Sequence, residues 1–274
     1  MIYKIYIKCC FFVAILLSGL PVRAETMVML PGFLSQGMDW RFNQVTPALQ
    51  SLGWTDGGNF YFQAGSIRNA VQLARRPRDV FYTVNLPTKA PVPYQAQILE
   101  QYLQAIHRIR QEPMVLVGHS AGGVVARYWL VASNSLPVHT LITIASPHLG
   151  TPMAELTEVL AETPLLSMME NIGITDFSNA RGLYANLREE RPDTFLYWLN
   201  HQPHPALRYV SVVRSSQNPE AFDFVVPESS QDMNHVYSLQ GRTERLNSGD
   251  SHFLSMNDGY LIGHILATAP ANRR

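Results

Sequence analysis

The sequence predicts an α/β fold, with a mostly parallel sheet covered by helices. Three observations carry that prediction. Runs such as Met114-Val115-Leu116-Val117 and Leu141-Ile142-Thr143-Ile144 are apolar without alternation, as strands buried on both faces must be. Helical stretches separate these runs, which is the order a parallel sheet with crossover helices requires. The chain also has the material for a large core, since its 274 residues are 46% hydrophobic and 15% charged.

Residues 1–24 stand apart. Lys4 and Lys8 precede an apolar stretch from Cys9 to Leu17, and Val22-Arg23-Ala24 supplies small side chains at the spacing a signal peptidase reads. The apolar run falls short of the roughly 20 residues a membrane span needs. An uncleaved anchor is the alternative, and it would have to continue as a helix through Pro21. The expectation is a cleaved signal peptide, Glu25 as the mature N-terminus and residues 25–274 as one domain, secreted or periplasmic. Both cysteines, Cys9 and Cys10, leave with the signal, so the mature chain has no thiol, disulfide or cysteine metal ligand. The formal charge of the whole chain is zero, 21 basic against 21 acidic residues; losing Lys4, Lys8 and Arg23 makes it −3. With no basic run, nucleic acid is excluded as a partner.

Within the mature chain, Met27-Val28-Met29-Leu30 forms a buried strand ending at Pro31-Gly32. Residues 80–84 form a second, stopped by Asn85 and Pro87. Over 94–111 the spacing of Ile98, Tyr102, Ala105 and Ile109 predicts one apolar helix face. The strand at 114–117 leads into a helix at 124–132 that is apolar nearly all round, and strands follow at 141–144 and 209–213. The last helix is expected over 258–269, capped by Asn257 or Asp258 and stopped by Pro270. Residues 151–202 break the alternation with helical patterning and no strand, and are expected to be an insertion that caps the site.

Chemistry enters at Gly118-His119-Ser120-Ala121-Gly122-Gly123, directly after an apolar strand and opening an apolar helix. This G-x-S-x-G pattern in a strand–turn–helix context is a nucleophile elbow, in which a tight turn lifts the serine hydroxyl above the sheet edge. Gly118 and Gly122 lack side chains because the turn presses them against neighbouring backbone.

Together with Leu30-Pro31-Gly32-Phe33 and Ile144-Ala145-Ser146-Pro147-His148-Leu149-Gly150, this block resembles the α/β-hydrolase superfamily. Within it, the similarity is to the group of bacterial triacylglycerol lipases and inositol-deacylase-like esterases. The resemblance implies an α/β-hydrolase fold and a Ser-acid-His triad in that chain order. Ser120 would be the nucleophile. Asp223, in Asp223-Phe224-Val225-Val226-Pro227, occupies the turn where related lipases place their acid, with Asp232 as the alternative. His252 precedes the final helix, where the superfamily keeps its base, with His235 and His264 as alternatives. Oxyanion donors would be the backbone N–H groups of Ala121 and Phe33, with Leu34 open as the second, because relatives often carry His-Gly where this chain has Pro31-Gly32. Leu254 stands where calcium-binding lipases have a carboxylate, so no metal is implied, and no cofactor is required. His119 is expected to pack, and His148 to fix its loop before touching substrate.

In relatives, helices inserted where 151–202 stands cover the site. Leu165, Met168 and Met169 are the candidates for lining an acyl chain, favouring a lipid or other acyl ester as partner and transient contact with a lipid interface. The function expected is an exported serine esterase or lipase. An acyltransferase or thioesterase with the same triad remains open, as does a catalytically silent binding protein.

Overall fold

The computed structural model describes residues 25–154, 180–215, 223, 225–249 and 251–268. The expected signal segment and the apolar stretch with Leu165, Met168 and Met169 lie outside the described residues. At the centre is an eight-stranded sheet in the order β3-β2-β4-β1-β5-β6-β7-β8. The strands are β1 (Glu25–Leu30), β2 (Thr55–Gln63), β3 (Ser66–Asn69), β4 (Asp79–Val84), β5 (Met114–His119), β6 (Val138–Ile144), β7 (Arg208–Val213) and β8 (Thr243–Asn247). Only the β2–β3 pair is antiparallel.

Side chains alternate across β1, so each face of the sheet has its own core. Val28 and Leu30 join one cluster with Leu99, Tyr102, Leu103 and Ile106 of α3 (Val92–Arg110) and with Val124, Val125 and Trp129 of α4 (Ala121–Ala132). Met27 and Met29 join the other with Trp40 of α1 (Asp39–Phe42), Val45 and Leu49 of α2 (Val45–Ser51), and helix residues Ile262, Ile265 and Leu266. The helix carrying those last three follows α5 (Arg181–Leu187), α6 (Phe195–His201) and α7 (Glu228–Gln231), and is α8 (Met256–Ala267).

Two expectations about helices change. The face that α3 buries is centred on Leu99, Tyr102, Leu103 and Ile106; of the expected stripe Tyr102 is buried, Ile98 and Ala105 pack partly buried at its edge, and Ile109 is half exposed. Two neighbouring stripes share the helical period, and the more apolar one packs on the sheet. Helix α8 starts earlier than expected because Ser255 is its cap. Its backbone N–H donates to Asp258 Oδ2 at 2.7 Å, so Asp258 is the third residue of a capping box rather than the cap itself.

Among the described residues, no helix is long and apolar enough to cross a membrane. In the 151–202 region these residues hold α5 and α6 and no strand.

Candidate active site

The chain lays down β1 at the middle of the sheet, fills one side with β2, β3 and β4, the last beside β1, then crosses to the other side of β1 with β5 and builds out to β8. Parallel strands on either side of such a switch point leave a crevice beyond their C-terminal ends. The residues singled out above sit on loops following β1, β5, β7 and β8.

Ser120 is held at φ 50°, ψ −128°, outside the regions L residues prefer, between the end of β5 and the first residue of α4. The turn fits because its glycines leave no room for a side chain. A Cβ at Gly118 would lie 2.4 Å from Gly123 Cα, and one at Gly122 would lie 2.4 Å from the carbonyl oxygen of Pro31. The backbone N–H of Ser120 donates to Ile144 O at 2.8 Å, tying the turn to β6. Ala121 opens α4, so its N–H has no acceptor within the helix, and the positive end of the helix lies at the serine.

The loop after β1 closes on the same point. A Cβ at Gly32 would fall 2.9 Å from Ser120 Cβ. Phe33 and Leu34 form the centre of a turn in which Ser35 N–H donates to Gly32 O at 3.1 Å, and Leu34 takes a left-handed φ of 57°. The Phe33 ring packs edge-on against Tyr184, 5.4 Å between centroids, which anchors the loop to α5.

His252 bridges the other two residues. Its Nδ1 lies 2.7 Å from Asp223 Oδ2 and its Nε2 lies 3.0 Å from Ser120 Oγ. A carboxylate only accepts, so Nδ1 carries the hydrogen and Nε2 of the neutral ring faces the serine hydroxyl as an acceptor. All three side chains are largely buried. Asp223 is held from its far side: Oδ1 accepts the N–H groups of Val225 and Val226 at 2.8 and 3.0 Å, and Oδ2 also accepts Gln231 Nε2 at 3.1 Å.

The alternatives are engaged elsewhere. Asp232 accepts Asn234 N–H at 2.8 Å and lies 3.5 Å from the Arg245 guanidinium. His235 Nδ1 lies 2.7 Å from Ser229 O, and His264 is exposed on α8. His148 is fully buried, its Nε2 3.0 Å from Thr143 Oγ1 and its carbonyl accepting Asn200 Nδ2 at 3.1 Å, so it fixes its loop.

Sequence reasoning missed the supports. Arg214, directly after β7, pairs with Asp258 of α8 at 2.7 and 3.0 Å, both side chains buried, and its Nη2 donates to Phe253 O at 3.2 Å. Its backbone N–H donates to Gln231 Oε1 at 2.7 Å, so one residue braces the Asp223 loop and the His252 loop together. A charged residue at the end of an otherwise apolar strand was the available signal. His119 was expected only to pack, yet its Nε2 lies 2.8 Å from His252 O. Burial, aided by neighbouring His252, pushes its pKa down to about 4. Among the described residues, no three His, Cys, Asp or Glu side chains gather as metal ligands.

Comparison with known proteins adds the following. A family model described as a PGAP1-like alpha/beta domain matches residues 92–171. A 63-residue stretch is 40% identical to the GPI inositol-deacylase of Kluyveromyces lactis, covering 20% of this chain but only 6% of that protein. Among solved structures, the mature lipase BlEst2 of Bacillus licheniformis is similar with a TM-score of 0.61 at 15% identity, over 90% of this chain and 92% of that one. The RedJ thioesterase of Streptomyces coelicolor is similar with a TM-score of 0.50 at 16% identity, over 89% and 85%. At such identities the likeness is one of fold.

Proposed function

We propose, from the premise that this chain has the α/β-hydrolase fold, that it is an exported serine hydrolase of carboxylic esters acting on lipid acyl groups. The observation that carries the reading is the unbroken line from Ser120 Oγ through the His252 imidazole to Asp223, set on a turn with left-handed φ. In this reading Ser120 Oγ attacks the ester carbonyl while its proton passes to His252 Nε2. The carbonyl π pair moves to oxygen, and the oxyanion accepts N–H bonds from Ala121 and Phe33, each worth about 3 kcal/mol in such sites. Collapse of the tetrahedral intermediate breaks the bond to the leaving alkoxide, which takes the proton from His252. Water then repeats the sequence on the acyl-enzyme, releasing the acid and restoring Ser120. Asp223 keeps the Nδ1–H tautomer and stabilises the imidazolium. Every step uses the chain's own groups.

An apolar acyl chain is favoured by what flanks these loops. Leu34, beside the proposed donor loop, and Phe253 and Met256, beside the proposed base, are 49%, 73% and 43% exposed. The family and relative matched over part of the chain, a PGAP1-like domain and a GPI inositol-deacylase, are consistent with a lipid-linked ester. Export rests on the sequence of residues 1–24, with 25–274 as the mature domain and 151–202 as its cap. Leu165, Met168 and Met169 are proposed as acyl contacts on composition alone.

The test is labelling of folded protein with a fluorophosphonate, followed by hydrolysis of acyl esters of about 4 and about 16 carbons below and above the point of aggregation. The reading expects one adduct, on Ser120, absent in Ser120→Ala, and a gain on long chains at the interface. Labelling with activity confined to short chains makes this a short-chain esterase. Transfer of the acyl group to an added alcohol or thiol in preference to water makes it an acyltransferase. No adduct at all leaves a silent binding protein.

A further inference from the structure

The residue before the proposed nucleophile has a side chain with a task of its own. His119 ends β5 and is 6% exposed, its ring turned into the protein. Its Nε2 lies 2.8 Å from the carbonyl oxygen of His252, and that carbonyl can only accept, so Nε2 carries the hydrogen and donates it. The ring also meets the loop after β1, since a Cβ at Gly32 would come within 3.1 Å of Nδ1. Trp40 closes the pocket edge-on, 6.4 Å between centroids. One imidazole therefore touches both the proposed oxyanion loop and the proposed base loop.

The base loop needs such an anchor. Ser251 and Phe253 on either side of His252 are exposed, and Phe253 is 73% so. Two buried side chains hold the carbonyls: His119 that of residue 252, and Arg214 that of residue 253 at 3.2 Å. The His252 ring is tied at both nitrogens, but the Cα from which it hangs is not. Should that Cα drift, the ring can follow Asp223 and leave Ser120.

We propose that His119 is a positioning residue, whose Nε2–H holds the backbone of His252 so that the imidazole meets Ser120 and Asp223 at once. This deepens the serine-hydrolase reading and rests on it. The chemistry also explains why a histidine suits the position. The two rings lie 5.3 Å apart, so a cationic donor here would oppose the imidazolium that forms when His252 takes the serine proton. Burial keeps His119 neutral, its pKa down to about 4; the charged or titratable groups facing it are His252, Arg214 and Asp258.

The experiment uses the full chain with His119→Phe, which keeps a ring but no donor, and His119→Gln, which returns a neutral N–H near the Nε2 position. Readouts are kcat and KM on a short-chain p-nitrophenyl ester and the rate of fluorophosphonate labelling of Ser120. His119→Phe is expected to lose about 10- to 100-fold in kcat, the scale of a misplaced catalytic group, with KM within about twofold. Its rate of Ser120 labelling falls in parallel, because the imidazole no longer meets the serine hydroxyl. His119→Gln is expected to recover most of both effects. Equal losses in both variants, or no loss in either, would overturn the inference and leave His119 a packing residue. Should neither variant fold, nitrogen NMR of the wild-type imidazoles decides: the Nε2–H tautomer at His119 supports the inference, and the Nδ1–H tautomer sinks it. A wild-type chain with neither labelling nor ester hydrolysis overturns the parent reading instead, and this one with it.

Discussion

Asp223 has two oxygens in unlike surroundings, and the difference makes a single-atom substitution informative. Oδ1 accepts two backbone N–H groups, from Val225 and Val226, that cannot turn away. In Asp223→Asn the amide oxygen must therefore take the Oδ1 place, and the NH2 group falls where Oδ2 stood. There it meets two donors, His252 Nδ1–H and Gln231 Nε2. Gln231 cannot turn its amide, since its Oε1 accepts the Arg214 N–H at 2.7 Å and its Nε2 donates to Val226 O at 2.8 Å; the imidazole responds by moving its hydrogen to Nε2, which then points at Ser120 Oγ and can no longer accept its proton. The expected outcome is a kcat lower by about 10³- to 10⁴-fold, the scale seen when a triad histidine is held in the wrong tautomer. Steady-state kinetics beside a thermal melt checks it: a loss below about tenfold with unchanged melting would mean Asp223 does not set the tautomer. Sequence order pointed to Ser120, Asp223 and His252, and the structure joins these three by hydrogen bonds. The contacts of His119 and Arg214 could not be read from sequence because their partners, His252 O for the first and Phe253 O and the Asp258 carboxylate for the second, lie 39 to 133 positions away. No local pattern encodes such a partner.

At the scale of elements, α4 is the piece whose fit decides most. Its first turn abuts the end of β1, with Gly122 against Pro31 O and Leu30 O. Gly122→Ala would set a methyl 2.4 Å from the carbonyl oxygen of Pro31 and 2.9 Å from that of Leu30, the last residue of a central strand, so the helix must slide. The cost is about 1–3 kcal/mol of overpacking, and Ala121 N–H moves with the helix, so activity falls too. Gly263→Ala on α8 is the control. Its methyl would meet Leu52 Cδ1 at 2.3 Å, the far end of a half-exposed side chain that can rotate away, so the helix gains alanine's propensity of about 1 kcal/mol at little cost. Urea midpoints of the two variants should move in opposite directions. A second pairing deserves the same treatment: Asp258→Asn leaves the buried Arg214 guanidinium without its carboxylate and removes the α8 capping box, costing about 3–5 kcal/mol. Legibility at this scale follows burial. β1 and β4 to β7 announce themselves because both faces are covered. β8, Thr-Glu-Arg-Leu-Asn, is an edge strand with no buried residue and carries no apolar run to recognise. β2 and β3 were missed for a related reason: they form an edge hairpin, and β2 contains Gly57-Gly58 where the register slips.

Across the whole molecule, the sheet order brings four loops to one edge, and the layers that hold them there enclose three histidines. His119, His148 and His204 are buried, and burial is the first cause that lowers the pKa of each: to about 4 for His119 and His204, and well below the ordinary value for His148, where Arg127 adds to the effect. The unfolded chain takes up a proton at each of these rings near pH 6.5, while the folded chain refuses it at His119 and His204 until about pH 4, and His148 is shifted in the same direction. The unfolded state therefore binds more protons throughout that window, and stability must fall as pH falls through it. Above about pH 6.5 all three are neutral in both states and contribute no slope. Each ring adds about 1.4 kcal/mol per pH unit inside the window, so three together give a slope of about 4 kcal/mol per pH unit, and one to two units of acidification become comparable with the total stability of about 5–15 kcal/mol of an ordinary domain. The fold is thus expected to unfold in mild acid, before most carboxylates titrate. Urea unfolding at pH 7, 6 and 5 measures the slope directly, and His204→Asn provides the decisive comparison. An asparagine amide can replace the Nδ1 contacts to Gln202 O and Ser238 Oγ, at 2.8 and 2.9 Å, without offering a group that titrates. That variant should lose about one proton from the slope and keep more of its stability at pH 5 than the wild type does. A slope identical to that of the wild type would show that His204 takes up its proton in the folded protein, and that these layers admit charge more readily than their burial implies.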